Sequence, residues 1–172
     1  DPAASSPTHS WYTADEGAVK DDRLQAGPFA LGVGASALRF AHHFGMETSW
    51  DGGVLEVSSD GAIWQDVVDA GGVFVTGGYT GALNSYGSNP LSGRQAWTGS
   101  SGGLVVTTVD LTAVSGGSLW LRFRHGSDSS VGGEGWWVDD IWLESTGPCT
   151  SVPLFADDFE SGDCSAWSVE VP

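Results

Sequence analysis

Basic residues are scarce in this sequence. Lys and Arg together number six, against 22 Asp and Glu, so the formal net charge is −16. A charge of this sign repels a phosphate backbone or an anionic membrane surface at long range, and we therefore do not expect nucleic acid as a partner. Acidic residues keep a protein soluble, and they also supply the hard oxygen ligands that Ca²⁺ prefers.

The sequence also lacks a long apolar run. No stretch approaches the ~20 residues of a membrane span, and no charged and then apolar leader is present. We therefore expect no membrane insertion and a soluble, secreted chain that has lost any signal peptide. A start at Asp1 fits a piece excised from a longer extracellular protein.

Residues that favour helices are rare, whereas turn formers and aromatic residues are frequent. Met and Lys each occur once, while Gly occurs 26 times and Trp nine times. This composition favours short strands joined by tight turns over packed helices. A chain of 172 residues is long enough for one good core and rather short for two, so we expect one all-β domain plus a tail.

Cysteine occurs only at Cys149 and Cys164. Two cysteines are too few for a metal site of their own, and their separation suits a disulfide that closes a short loop. A loop of ~15 residues contributes roughly 3 kcal/mol in the entropic model, and it implies an oxidising compartment. We predict that these residues form a disulfide.

Alternating apolar and polar residues predict several strands. Residues 38–44 and 53–58 follow a period of two, and Asp60-Gly61 then supplies a turn before residues 63–67, which predicts a hairpin. Further strands are predicted at residues 104–111, 118–125 and 136–144.

The segment between the hairpin and the last three strands is different. Residues 77–103 are rich in Gly, Ser, Asn and Tyr and contain Pro90, which predicts a long irregular loop. After Pro148 the alternation fades and acidic residues are dense. We therefore predict a sandwich domain over residues 1–147, with residues 148–172 forming a disulfide-closed acidic tail or the start of the next module.

Three segments together resemble a known group. They are residues 38–61, with Asp51-Gly-Gly and Asp60-Gly61; residues 78–79 followed by 89–97; and residues 121–128 through 135–141. Their order and spacing are similar to the MAM-like jelly rolls beside secreted bacterial peptidases, including the immune inhibitor A and fungalysin types and choice-of-anchor J modules. The resemblance implies an antiparallel two-sheet jelly-roll β-sandwich, attached to a secreted enzyme and without catalytic residues of its own.

Three catalytic or metal-binding patterns are weak. Residues 99–103 fit the hydrolase motif G-x-S-x-G, but that motif needs a helix after the Ser, and here a strand is predicted to follow. His42 and His43 are adjacent and point to opposite faces of a strand, so they cannot chelate one zinc ion. Asp139 and Asp140 also alternate, which argues against a facing glycosidase pair unless a bulge intervenes.

Acidic residues near Gly-rich turns are better suited to calcium. Ca²⁺ takes several oxygen ligands at ~2.3–2.6 Å from side chains and carbonyls. The candidate ligands are Glu47, Asp51, Asp128, Asp139 and Asp140. The alternative is that Asp51 and Asp139 only hold turns through hydrogen bonds to backbone amides.

Aromatic residues give two candidate binding surfaces. By strand parity Trp120 and Arg122 face away from the core, and if the strand from Trp136 pairs beside them, Trp142 emerges nearby as an aromatic platform for a sugar ring. The alternative is that both tryptophans pack under other segments. We expect Trp64 and Trp136 in the core.

The long loop is the second surface, with candidates Tyr79, Tyr86, Arg94 and Trp97. The alternative is a loop that folds down and closes the end of the sandwich.

Together these patterns favour a monomeric, non-catalytic accessory module. In this interpretation the module docks a covalently linked secreted hydrolase onto polysaccharide or protein, with Ca²⁺ holding its loops. A structural or adhesive spacer without a small ligand is the alternative, and an enzyme is the third possibility.

Overall fold

The chain is an all-β protein. A computed structural model describes residues 10–31, 34, 36–114 and 117–145, together with the backbone of residues 152–153 and 167–170. These residues form strands, turns and bends and include no helical membrane span. The strands are β1 (Trp11–Thr13), β2 (Lys20–Ala30), β3 (Ser36–Gly45), β4 (Gly52–Ser58), β5 (Gln65–Asp66), β6 (Val73–Thr76), β7 (Gly81–Ala82), β8 (Gln95–Ala96), β9 (Val105–Asp110), β10 (Ser118–Ser127), β11 (Gly135–Ser145), β12 (Val152–Pro153) and β13 (Trp167–Glu170).

Two antiparallel sheets pack face to face. The first sheet has the order β1-β11-β3-β9-β6, with β12 also paired to β11, and the second has the order β13-β2-β10-β4-β5. β7 and β8 pair separately. Because β1-β11-β3-β9 lies against β2-β10-β4-β5, successive long strands alternate between the sheets as in a jelly roll. The predicted two-sheet jelly-roll sandwich is therefore confirmed.

The core lies between the sheets and follows from the strand alternation. Leu38 and Phe40 of β3 are buried, as are Leu121 and Phe123 of β10. The rings of Phe40 and Phe123 meet across the two sheets, with centroids 4.9 Å apart. Each such side chain contributes roughly 1.5–3 kcal/mol through removal of apolar surface from water.

A buried polar chain crosses this core. Trp136 Nε1 donates to His42 Nδ1 at 3.2 Å, so His42 Nε2 carries the proton and donates to Thr107 Oγ1 at 2.9 Å. Thr107 in turn donates to the carbonyl of Gly77 at 2.7 Å. Burial lowers the pKa of His42 to about 3, with a smaller effect from His43, so His42 is neutral in the folded protein. The predicted opposite orientation of His42 and His43 is confirmed.

The predicted strands are present as β3, β4, β9, β10 and β11, and the hairpin after β4 has a wider turn than predicted. β5 contains only two residues, and Asp60 Oδ1 accepts the N–H groups of Ala62 and Ile63. These bonds satisfy the backbone locally and leave Ile63 in solvent.

The long loop, residues 77–103, folds back over the outer face of the second sheet. Leu83, Leu91 and Ala96 pack there against Val54, which is completely buried. The loop is mostly irregular as predicted, with β7 and β8 as its only strands among the described residues. Because the long loop covers the outer face of the second sheet, β4 is buried on both faces, although its outer face carries Glu56.

Residues 148–172 lie mostly outside the described residues. The backbone of β12 pairs with β11, and that of β13 pairs with β2. Cys149 and Cys164 are outside the described residues, so their disulfide stays a prediction.

Candidate functional site

Three of the five predicted calcium ligands lie together at one end of the sandwich. Glu47, Asp51 and Asp128 each present a carboxylate oxygen, and these oxygens lie within 4.8 Å of one another. We call these three residues the acidic cluster. Oxygens on opposite sides of one Ca²⁺ are about 4.8 Å apart when each ligand distance is ~2.4 Å, so the spacing suits this ion.

Strand register produces the acidic cluster. Gly52 of β4 pairs with Gly126 of β10, which places the residue before β4, Asp51, beside the residue after β10, Asp128. The Asp128 N–H then donates to Asp51 Oδ1 at 2.7 Å. Glu47 is held one turn before, where its carbonyl accepts the Asp51 N–H at 3.0 Å.

The carboxylates of the acidic cluster are not neutralised by the described residues around them. Asp51 is fully buried and Asp128 is 6% exposed. Asp51 Oδ2 and Glu47 Oε2 are buried without a hydrogen-bond partner. Burial raises the pKa of both Asp51 and Glu47, and nearby carboxylates raise it further. Buried ionised carboxylates without a counter-charge are costly, and a bound cation would remove that cost.

Asp139 and Asp140 are not part of the acidic cluster, so the structure does not bring all five candidate calcium ligands together. Asp139 pairs with Ala41, whereas the cluster end of β11 is at Gly135. A bulge follows Asp139, with Asp140 at a φ of 45°, and Asp139 Oδ1 accepts the Asp140 N–H at 2.8 Å. The carboxylate of Asp139 therefore stabilises a bulge, as the alternative interpretation of the sequence expected.

Trp120 and Trp142 lie on different sheets, so the predicted joint platform is wrong. Trp120 is in β10 of the second sheet and Trp142 is in β11 of the first. Parity gave the correct face for Trp120, whereas in β11 the bulge after Asp139 reverses the alternation, so that Ile141 and Leu143 are buried and Trp142 is half-buried. The jelly-roll connection carries the chain to the opposite sheet between the two tryptophans. The indole of Trp120 is half-buried against Gly27 and Gly61, where a Cβ would approach it to 2.8 and 3.0 Å.

Arg122 is held in an ion-pair network. Its Nε donates to Glu56 at 2.6 Å, and its guanidinium lies 4.2 Å from the ring centroid of Trp64. Trp64 is therefore half-buried on the outer face of the second sheet and not in the core, because the wide hairpin turn carries it outward. Trp136 is completely buried, which confirms the prediction for that residue.

Three of the four candidates in the long loop point inward. Trp97 is 1% exposed, and its Nε1 donates to Gly77. The Tyr79 hydroxyl donates to Asp66 at 3.0 Å, and Arg94 pairs with Asp66 at 2.9 Å. Tyr86 alone of the four is an exposed side chain, at 82%.

Tyr86 belongs to a surface beside the acidic cluster, which we call the loop end (residues 46–51, 84–93 and 128–134). Gly87 lies against the ring of Trp50 and near a carboxylate oxygen of Asp128. Asn89 Nδ2 donates to the carbonyls of Trp50 and Gly126 and ties these loops together. Trp50 is 36% exposed, and the sequence analysis missed it because no alternation marks an aromatic residue inside a loop.

Ser101, the central residue of G-x-S-x-G, has the bonding of a structural hydroxyl. It accepts the Phe44 N–H at 3.0 Å and lies 2.7 Å from the carbonyl of Gly103. His43 Nδ1 is also within 3.0 Å of it, and His43 Nε2 contacts exposed Glu134. β9 follows, as predicted, in place of the helix that a nucleophile elbow requires.

No protein-family model matches the chain, and a search of curated proteins found no significant match. The resemblance to MAM-like jelly rolls therefore stays a prediction from the motifs, and the geometry of the loop end carries the functional argument.

Proposed function

We propose that this chain is a non-catalytic accessory module of a larger secreted protein, in which bound Ca²⁺ fixes the loop end. The module docks a covalently linked hydrolase onto extracellular polysaccharide or protein. The observation that carries the proposal is the acidic cluster, whose carboxylate oxygens have the type and spacing of cation ligands. The cation fixes the loops that present Trp50 and Tyr86, and these two aromatic side chains are the docking residues.

A structural or adhesive spacer is the second candidate. It is favoured by the inward packing of Tyr79, Arg94 and Trp97, and by the separation of Trp120 from Trp142. These contacts remove most of the sequence-predicted ligand residues from the surface. Ca²⁺ at the acidic cluster is compatible with both candidates, so binding by the loop end decides between them.

Calcium is expected to raise the melting temperature. A cation that binds only the folded state at a hundred times its Kd adds about 2.7 kcal/mol, which is roughly 5–10 °C for a domain of this size. The measurement is a thermal melt of EDTA-treated protein with and without millimolar Ca²⁺. Asp51→Asn should abolish the rise, while Asp110→Asn, on the exposed Asp110 of β9, should retain it. An unchanged wild-type midpoint would remove calcium from the proposal.

Tyr86→Ala is expected to weaken docking without weakening the fold. Loss of an exposed aromatic contact typically costs about 1–3 kcal/mol of binding, or roughly 5-fold to 150-fold in Kd. The measurement is retention by a panel of insoluble polysaccharides and by immobilised extracellular protein, with Ca²⁺ or with EDTA.

The matched control is Ile63→Ala, which also truncates an exposed apolar side chain but lies in the hairpin at the opposite end of β4. It should leave binding unchanged. Wild-type protein that binds neither kind of substrate in Ca²⁺ would favour the spacer.

A further inference from the structure

The outer face of the first sheet carries exposed side chains, whereas the long loop covers much of the outer face of the second sheet. The exposed residues come from four strands: Tyr12 of β1, Arg39 of β3, Val106 of β9 and Glu144 of β11. Strand register places outward side chains of neighbouring strands in rows across the sheet. Two of these rows contain aromatic rings, and they lie on either side of Ala41 of β3.

The first row is a stack of rings across three strands. Register pairs Tyr12 with Trp137 and Trp137 with His43. The ring centroids of Tyr12 and Trp137 are 4.5 Å apart, and His43 follows at 5.2 Å. Glu134 holds the row, because its carbonyl accepts from the Tyr12 hydroxyl at 3.0 Å and its carboxylate lies 3.0 Å from His43 Nε2. Tyr12 ends the row, so one face of its ring is free of the other two rings.

The second row combines a half-buried indole with a free guanidinium. It consists of Trp142 of β11, Arg39 of β3 and Thr108 of β9, which are paired in register. Among the described residues, which include all six basic side chains of the chain, Arg39 alone is in no ion pair. Register explains this, because its two direct neighbours across the strands carry no carboxylate. The N–H donors of Arg39 are therefore available to a ligand beside an aromatic ring.

The space between the two rows is covered by large side chains. Ala41 points outward, yet it is only 3% exposed. Larger neighbours therefore close over it, and the rows belong to the outermost layer of the sheet. Along β3 the rows pass through His43 and Arg39, four residues and thus about 13 Å apart. This distance suits an extended chain molecule better than a single small ring.

The charges of this face favour a neutral ligand. Asp110, Asp139 and Glu144 lie on the same face as Arg39, and the whole chain has a net charge of −16, so a polyanion is repelled at long range. Charged residues are depleted at the centre of protein–protein interfaces, whereas Arg39 and Asp139 lie between aromatic rings. Rings that alternate with hydrogen-bond donors and acceptors match the apolar faces and the hydroxyl groups of sugars.

We propose that the outer face of the first sheet binds a neutral polysaccharide, whose chain crosses from the first row to the second. Sugar rings pack on Tyr12 and Trp142, and Arg39 donates hydrogen bonds to their hydroxyl groups. This surface adds to the docking role proposed above and is separate from Trp50 and Tyr86 of the loop end. None of its residues belongs to the acidic cluster, so binding here does not require Ca²⁺.

The test measures binding isotherms of the full chain on cellulose, chitin, xylan and starch in EDTA. The wild type should bind at least one of them, and Arg39→Gln should raise the Kd by about tenfold or more, as expected for lost hydrogen bonds to a charged group. Arg39→Lys keeps the charge without the planar fork and should be weakened nearly as much. Both variants should melt at the wild-type temperature, because Arg39 has no ion pair to lose.

A matched pair of tyrosine variants separates this face from the loop end. In EDTA, Tyr12→Ala should raise the Kd by at least about fivefold, whereas Tyr86→Ala, which truncates an exposed tyrosine of the loop end, should bind like the wild type. About 0.5 M NaCl, which screens charges, should leave binding unchanged because the ligand is neutral.

Three results would overturn the proposal. The first is a wild type that binds none of the four polysaccharides in EDTA; binding that appears only with Ca²⁺ and depends on Tyr86 would leave docking to the loop end alone. The second is retention by polygalacturonate that is lost in salt, since it would show charge attraction. The third is Arg39-dependent retention by immobilised gelatin without polysaccharide binding, since it would identify a protein partner.

Discussion

Trp97→Ala is expected to lower the free energy of unfolding by about 3–5 kcal/mol, the usual cost of truncating a buried Trp. Typical domains are stable by only 5–15 kcal/mol, so this single change removes a large part of the margin. The residue lies in the long loop, where the sequence predicted a ligand-binding side chain. Its burial makes it a core residue.

The size of this effect follows from the surroundings of the indole. Its ring meets those of Tyr79 at 4.8 Å, His42 at 4.9 Å and Phe74 at 5.6 Å. Its Nε1 donates to the Gly77 carbonyl, which also accepts from Thr107. Truncation would leave a cavity in the centre of the sandwich and remove a hydrogen bond that anchors the start of the long loop.

Urea unfolding of the variant and of the wild type measures the difference directly. Trp97→Phe, which keeps most of the ring volume, should lose less stability and provides a folded variant if the alanine protein does not fold. Tyr86→Ala is the matched control in the same loop and should change stability by less than about 0.5 kcal/mol. Trp97→Ala with wild-type stability but lost substrate binding would restore Trp97 as a ligand residue.

The sequence predicted the fold well because burial on one side of a strand imposes a period of two. β3, β9 and β10 show this alternation, and β11 shows it on either side of its bulge. β2 was missed, since it opens with Lys-Asp-Asp-Arg, residues that are depleted in strands, and these charges are accommodated by ion pairs with Arg124 and Lys20. The pair between Asp21 and Arg124 joins residues distant in the sequence, which no local pattern reveals.

The candidate site was predicted only in part, for a similar reason. Asp51 and Asp128 are 77 residues apart in the sequence and meet because β4 pairs with β10. Asp51 and Asp128 could be chosen as candidate calcium ligands from the sequence alone, because each is an acidic residue beside a strand end. That Asp139 lies away from them follows only from the register of β11.

Three arginine side chains surround one buried carboxylate on the outer face of the second sheet. Glu56 is almost completely buried, and its carboxylate contacts Arg94, Arg122 and Arg124. Burial alone would raise the pKa of Glu56, but the ion pairs with Arg94 and Arg122 outweigh it and hold the pKa below its usual value. The carboxylate is thus ionised and joins three cations.

Glu56→Gln is expected to lower the free energy of unfolding by about 3 kcal/mol. Removing one partner of a buried ion pair costs about 3–5 kcal/mol, because the remaining charge is left uncompensated. The lower end applies here, since the three guanidinium groups keep some contact with water, and Arg94 and Arg124 keep Asp66 and Asp21 as partners. Chemical denaturation measures this loss, with Glu144→Gln as the same change on an exposed residue of β11.

The variant should also loosen the long loop, because Arg94 is the loop residue that reaches Glu56. Amide hydrogen exchange in residues 83–96 is expected to become faster in Glu56→Gln and to stay unchanged in Glu144→Gln. The two readouts measure different effects of the substitution. The free energy of unfolding reports the uncompensated charge, and amide hydrogen exchange reports the attachment of the long loop. Wild-type stability with wild-type exchange would show that the packing of Leu83 and Leu91 on Val54 holds the loop without the ion pair.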